Sequence, residues 1–159
     1  MSYILGVDPG TTGAIALLDR AGELLAVEDL PTIADGALRW VDASVFLSRL
    51  IELKAGRPVH AVVERQQAMP AQGRSSCLTI GMGLGSLLAV LQVAGCSIEL
   101  ASAAAWKRGA GLGPDKAASL NRARLLYPAA DLDRARDHNR AEALLLARWA
   151  LGRERGAVA

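Results

Sequence analysis

The sequence predicts an α/β protein, a five-stranded mixed sheet with helices on both faces. Short apolar runs open the chain, alternate with helical patterns in its middle and give way to helices at its end. Tyr3 to Val7, closed by Asp8-Pro9-Gly10, reads as the first strand. Ala14 to Leu18, ending at Asp19-Arg20-Ala21-Gly22, reads as the second, and Glu23 to Leu30 as the third. Short turns join the three, so they form an antiparallel meander. From Asp42 to Lys54, the residues Val45, Phe46, Leu50, Ile51 and Leu53 recur at near-helical spacing before Gly56, which predicts a helix. Val59 to Val63 follows as a buried strand, Ser76 to Ala94 as a long buried helix and Ser97 to Leu100 as the fifth strand. Glycines within that helix lower its propensity and predict close contact with another element. Ala101 to Arg108, Pro114 to Leu126 and Arg140 to Leu151 read as helices, with Pro114 in a first turn that tolerates proline. The first, fourth and fifth strands are then parallel, an arrangement that binds ligands beyond the carboxyl ends of its strands. Pro31 to Trp40 and Gln66 to Arg74 read as polar, irregular connections.

The 159 residues fit one domain over 1–159, and 52% hydrophobic with 21% charged residues exclude a disordered chain. The apolar stretch from Cys77 to Gly95 is interrupted by Gly81, Gly83, Gly85, Ser86 and Gln92, which predicts a buried helix rather than a membrane span, so no membrane partner is expected. Met1-Ser2-Tyr3 lacks the basic region of a signal peptide, and a cytoplasmic location is expected. Cys77 and Cys96 have no zinc-spaced partners and read as free buried thiols. The net charge of +2 is unevenly spread. Between Trp106 and Arg140 stand eight Lys or Arg and four Asp, a local charge of +4 on a body of −2. Such a segment is either a solvated helical surface or a means of holding a polyanion near a carboxylate site.

Asp8 and Glu64 each end a predicted buried strand, and if those strands are parallel neighbours the two carboxylates meet. A third acid, Glu142, opens an apolar helix on which it needs a partner. Arg148 is six residues on, off the spacing that joins side chains on one helix face. His138, four residues earlier, can face the same way, and Asp137 is either a metal ligand or a helix N-cap. Clustered carboxylates repel unless a cation neutralises them, and oxygen-rich sites suit Mg²⁺ or Mn²⁺. Two such ions could activate a water and stabilise the leaving oxygen of a phosphodiester.

Ile4-Leu5-Gly6-Val7-Asp8-Pro9-Gly10 with Gly13, Val62-Val63-Glu64, and the run from Asp137 to Ala147 together resemble the RuvC family of Holliday-junction resolvases, especially its phage-type and chloroplast branches. The resemblance implies a ribonuclease-H-like fold with strand order 3-2-1-4-5, a homodimer, Mg²⁺ or Mn²⁺, and paired nicks placed symmetrically across a four-way DNA junction. It casts Asp8, Glu64 and Glu142 as metal-binding acids, with His138 or Asp137 as the fourth ligand. Many members place Asp or His three residues before the last acid, where this chain has Asn139. Trp106-Lys107-Arg108 and Gly113-Pro114-Asp115-Lys116 resemble the segment whose lysines approach the scissile phosphate, which points to Lys107 and Lys116, with Arg108 beside them on DNA. Met69 to Ser76 would lie near the junction centre, where Gln66, Gln67 and Arg74 could contact phosphates or bases. Met82, Leu84, Leu87 and Leu91 would by the same resemblance face a second subunit, or else belong to the core of the chain itself.

Asp8-Pro9-Gly10-Thr11-Thr12-Gly13 also resembles the phosphate loop of the actin and sugar-kinase ATPases. That fold needs two such domains and a second glycine-rich loop, so no nucleotide cofactor is expected. Two other readings stay open: a junction-binding protein that has lost cleavage, suggested by Asn139, and a related nuclease acting on other branched DNA or on RNA.

Overall fold

The computed structural model describes residues 2–10, 12–36, 38–67 and 73–156. Its strands are β1 (Tyr3–Asp8), β2 (Ala14–Leu18), β3 (Leu24–Asp29), β4 (Thr32–Asp35), β5 (Leu38–Val41), β6 (Val59–Glu64) and β7 (Ser97–Ala101). Its helices are α1 (Ala43–Lys54), α2 (Arg74–Val93), α3 (Ala103–Gly109), α4 (Lys116–Leu126) and α5 (His138–Gly156). The main sheet runs β3-β2-β1-β6-β7, with β1, β6 and β7 parallel and β2 and β3 antiparallel. The expected mixed sheet is thus present. Its last two members are the sixth and seventh strands of the chain because a separate hairpin, β4-β5, intervenes.

That hairpin corrects the reading of Pro31 to Trp40 as irregular. Asp35 pairs with Leu38, and Gly36 turns the chain at a φ of 56°, which glycine adopts without strain. Helix ends differ as well. Ser102 and Asp115 are the N-caps of α3 and α4, each side chain accepting a backbone N–H, so Pro114 stands before its helix.

Side-chain alternation divides the core between the two faces of the sheet. Leu5 and Val7 of β1 and Ala61 and Val63 of β6 pack with Phe46 and Leu50 of α1 and Leu87 and Leu91 of α2. Ile4 and Val62 face the other way, onto Leu144, Ala147 and Trp106. Gly6 lies on this second face, where an added Cβ would come within 2.0 Å of the Ala143 carbonyl and 2.7 Å of the Ala147 nitrogen. Only a residue without a side chain lets α5 lie this close to β1.

Helix α2 departs from the expected buried helix. Leu87, Val90 and Leu91 are buried, whereas Leu78 and Met82 are 59% and 41% exposed. Among the described residues nothing lies within 4 Å of a Cβ built at Gly81, Gly83 or Gly85, so the expected close contact of these glycines is not made there. By length and composition α2 could cross a membrane, yet its C-terminal half is part of the core. Cys77 and Cys96 are free and half-buried.

Gly6→Ala is expected to lower unfolding free energy by about 3 kcal/mol, the upper range for overpacking, because backbone rather than a flexible side-chain tip blocks the new methyl. A urea unfolding curve measures it.

Candidate active site

Register and alternation assemble the acids. Val7 pairs with Val63 across parallel strands, so the next residues, Asp8 and Glu64, end the two central strands side by side. Both share the face of Ile4 and Val62, the face on which α5 packs, and Glu142 lies one turn into that helix. Asp8, Glu64 and Glu142 line one open cleft of about 860 Å³ together with Lys107 and Lys116. The three acids and two lysines singled out from the sequence therefore meet at the carboxyl end of the parallel strands.

The turn after β1 is built to leave that cleft open. A Cβ at Gly13 would fall 2.2 Å from the Asp8 carbonyl, so glycine permits the chain to double back there. Gln66 donates through Nε2 to the Pro9 carbonyl, joining the ends of β1 and β6. Asn139 donates to the Thr12 carbonyl and, at 3.0 Å, to the Thr12 hydroxyl, fastening the same turn to α5. The position at which the family pattern has Asp or His thus carries a side chain that lines the cleft and holds its wall.

Too many carboxylates share too little water here. Burial pushes the Asp8 carboxyl up to about 8, and the charges of Glu64 and Glu142 add to the shift. Burial also raises Glu64, against the lowering effect of Trp106, whose buried indole donates to Glu64 at 2.7 Å. Lys107 donates to Glu142 at 2.7 Å, the ammonium standing where positive charge is needed. Among the described residues no three Asp, Glu, His or Cys groups are already gathered tightly enough to grip a metal. The donor set nevertheless fits a divalent cation: carboxylate oxygens, mutual repulsion that a cation relieves, and an ammonium already drawn to the deepest acid.

The structure does not bring the two candidates for a fourth ligand to this place. Asp137 is 1% exposed, and its carboxylate is paired with Arg134 at 2.6 Å and accepts the Arg134 backbone N–H at 2.7 Å. Its carbonyl accepts the first hydrogen bond of α5, from Ala141, so it stands at the N-cap position with its side chain turned back. Burial raises its carboxyl, but the hydrogen bonds and charge of Arg134 outweigh this and hold it below the ordinary range. His138 is half-buried and does not line the cleft. Asn139, three residues before Glu142, is the residue of this stretch that lines the cleft, while Asp137 precedes the helix with its carboxylate held on Arg134.

Gln67 is exposed in an adjoining recess with Glu64 and Ile80, while Arg74, the first residue of α2, and Arg108 of α3 are exposed outside the cleft. Residues 69–72 of the expected Met69 to Ser76 loop lie outside the described residues; Ser75 and Ser76 line the cleft. Sequence reasoning missed the wall formed by Leu38, Trp40 and Val41 of the hairpin. Asp35-Gly36 between the runs Thr32 to Ala34 and Leu38 to Val41 was the turn signature that could have found it. Much of the basic segment also proves to be internally bonded. Arg134 and Arg140 pair with Asp29, and Arg124 donates to the Leu132 carbonyl.

A ribonuclease-H-like α/β fold with acids at the ends of its central parallel strands is the class that this architecture defines. In particular the fold is that of RuvC. The chain superposes on Thermus thermophilus RuvC in complex with Holliday junction substrate with a TM-score of 0.69 and 19% identity, over 98% of this chain and 97% of the other. A further Thermus thermophilus RuvC structure gives a TM-score of 0.57 and 21% identity, over 97% and 96%. In sequence, 102 residues are 36% identical to the chloroplastic Holliday junction resolvase MOC1 of Chlamydomonas reinhardtii. That stretch is 60% of this chain but 12% of the much longer relative. No family model matches the chain. The resemblance to RuvC read from the motifs thus extends to the fold as a whole.

Asp137→Asn is expected to cost about 1–3 kcal/mol of stability at neutral pH, since it leaves the Arg134 donors short of their charged partner. The sign of its pH dependence follows from the lowered carboxyl: the stabilisation is present above the unfolded value of about 3.9 and is lost as pH falls through the folded one. Thermal melts of wild type and variant should therefore begin to approach one another as pH falls below about 4 and coincide only below the lowered folded value, with divalent-cation binding at neutral pH unchanged.

Proposed function

We propose that this chain is a RuvC-family endonuclease, a single nuclease domain over 1–159 that resolves four-way DNA junctions by symmetric paired phosphodiester hydrolysis in recombination and repair. The observation that supports it is the meeting of Asp8, Glu64 and Glu142 with Lys107 and Lys116 in one open cleft. Asp8, Glu64 and Glu142 would hold Mg²⁺ or Mn²⁺, which when bound supplies an activated water and charge for the leaving oxygen. Lys116, exposed at the first turn of α4, reaches a phosphate entering the cleft. Lys107 holds Glu142 until a phosphate competes for its ammonium. Gln66, Gln67, Arg74 and Arg108 border this region and are assigned to the DNA backbone and junction centre.

Paired cuts require two sites. The exposed apolar flank of α2, with Leu78 and Met82, and the open glycines beside it suit a twofold contact with a second copy. Asn139 does not favour a cleavage-deficient binder, because its structural task beside Thr12 leaves all three acids in place. No nucleotide is required by this chemistry. The compartment is that of the DNA being cut, a cytoplasmic nucleoid or an organelle.

Synthetic four-way junctions incubated with Mg²⁺ or Mn²⁺ should receive paired nicks. Asp8→Asn and Glu142→Gln should each reduce the rate at least about a hundredfold, and chelation should abolish it. Binding without cleavage by the wild type would contradict the reading, as would equal cutting of linear duplex or RNA.

Met82→Glu should shift the protein to monomer in sedimentation and replace paired nicks by single ones. A variant that stays dimeric would remove α2 from the interface.

A further inference from the structure

Beyond the cleft, a second groove of about 460 Å³ lies among α3, α4 and α5, and no catalytic role so far described uses it. Its lining includes Gly109, Arg122, Leu145, Arg148, Trp149 and Arg153, with three guanidinium groups and no carboxylate among all the residues that line it.

The helices that border the cleft carry on into this groove. Lys107 of α3 is in the cleft, and Gly109 is in the groove. Lys116 of α4 is in the cleft, and Arg122, nearly two turns on, is in the groove. On α5 the residues Glu142, Leu145, Trp149 and Arg153 follow at steps of three and four, so cleft and groove lie along one face of the helix. Arg122 lies six residues from Lys116 and Arg148 six from Glu142, about 9 Å along either helix and some two to three nucleotides of a duplex strand.

The groove is also shaped rather than incidental. A Cβ at Gly109 would come within 2.3 Å of the Trp149 indole nitrogen, so glycine is what lets the indole lie against α3. Arg153 stacks on Trp149 at 4.6 Å from the ring centroid, and Arg148 lies over Tyr127 at 5.8 Å while donating to its hydroxyl at 3.4 Å. Stacking holds these guanidinium groups without neutralising them. Arg153 pairs with Glu99, but among the described residues neither Arg122 nor Arg148 has a carboxylate partner, in contrast to Arg134 and Arg140.

We propose that this groove is a second DNA-backbone site, in which Arg122 and Arg148 take phosphates of the cleaved strand about two to three nucleotides from the nick. The inference rests on the nuclease reading and adds to it where a junction arm leaves the protein. Charge complementarity decides the occupant: unpaired guanidinium groups in line with a phosphodiester-cleaving site suit a polyanionic strand.

The test is junction binding by the full chain in Ca²⁺, comparing wild type with Arg122→Gln/Arg148→Gln, after melting curves show that both fold alike. The double variant should bind about tenfold more weakly and show a salt dependence shallower by about one to two ions per bound subunit. A junction carrying neutral methylphosphonates about two to three nucleotides from the nick should weaken binding by wild type and leave the variant unaffected. Single-turnover cleavage at saturating protein should be the same in both, since neither arginine is in the cleft. If the variant keeps the wild-type salt dependence, or if the neutral linkages weaken both proteins equally, the groove is not a phosphate site although the nuclease reading stands. If wild type neither binds nor cuts the junction, both fail together.

Discussion

Repulsion among Asp8, Glu64 and Glu142 is the constraint around which this protein is arranged. Ordinary folding separates like charges or leaves them in water, and here three backbone elements drive them into one cleft. Asp8 is displaced to about 8 as a result, chiefly by burial and then by its two acidic neighbours. The surrounding residues offset that repulsion singly: Trp106 donates to Glu64, and Lys107 donates to Glu142. Asp8 has no such partner among the described residues, and it sits at the centre of the site, where a cation would most relieve the cluster.

Apparently unrelated parts of the fold serve the same end. Gly6 allows α5 to approach β1 closely enough to deliver Glu142, and Gly13 allows the following turn to fold back on Asp8. Asn139 and Gln66 then tie that turn to α5 and β6 from opposite sides. The parallel register of β1 and β6 supplies the rest, since shifting either strand by one residue would turn its acid to the other face. Stability and site geometry are therefore coupled at Gly6: a methyl there would displace the helix that carries the third acid.

What could be read from the sequence was whatever depended on local pattern. Apolar runs and turns located the five strands of the main sheet, and the positions of Asp8 and Glu64 at strand ends followed directly. The hairpin was missed because Pro31 and the polar residues around Asp35 outweighed a short alternation, although the Asp-Gly turn was there to be seen. Burial of α2 was misjudged because composition records apolarity and not which surface covers it. Leu87 and Leu91 are covered within the chain, whereas Leu78 and Met82 are not. His138 was drawn into the site by its four-residue spacing from Glu142, and Asp137 by standing one residue further back. In the structure it is Asn139 that lines the cleft with that acid, while Asp137 answers to Arg134, a partner three residues back with which it closes a turn. Charge in the segment from Trp106 to Arg140 likewise needed three dimensions to interpret, because Arg124, Arg134 and Arg140 are committed to internal partners.

The central claim is that a divalent cation belongs among Asp8, Glu64 and Glu142. Anomalous diffraction from crystals soaked in Mn²⁺ addresses it without reference to activity. The account predicts metal density with carboxylate oxygens of all three residues at about 2.1 Å or one water beyond, and Lys107 displaced from Glu142. Manganese bound at Asp137 and His138, or a cleft left empty with the Lys107–Glu142 pair intact at saturating Mn²⁺, would contradict it.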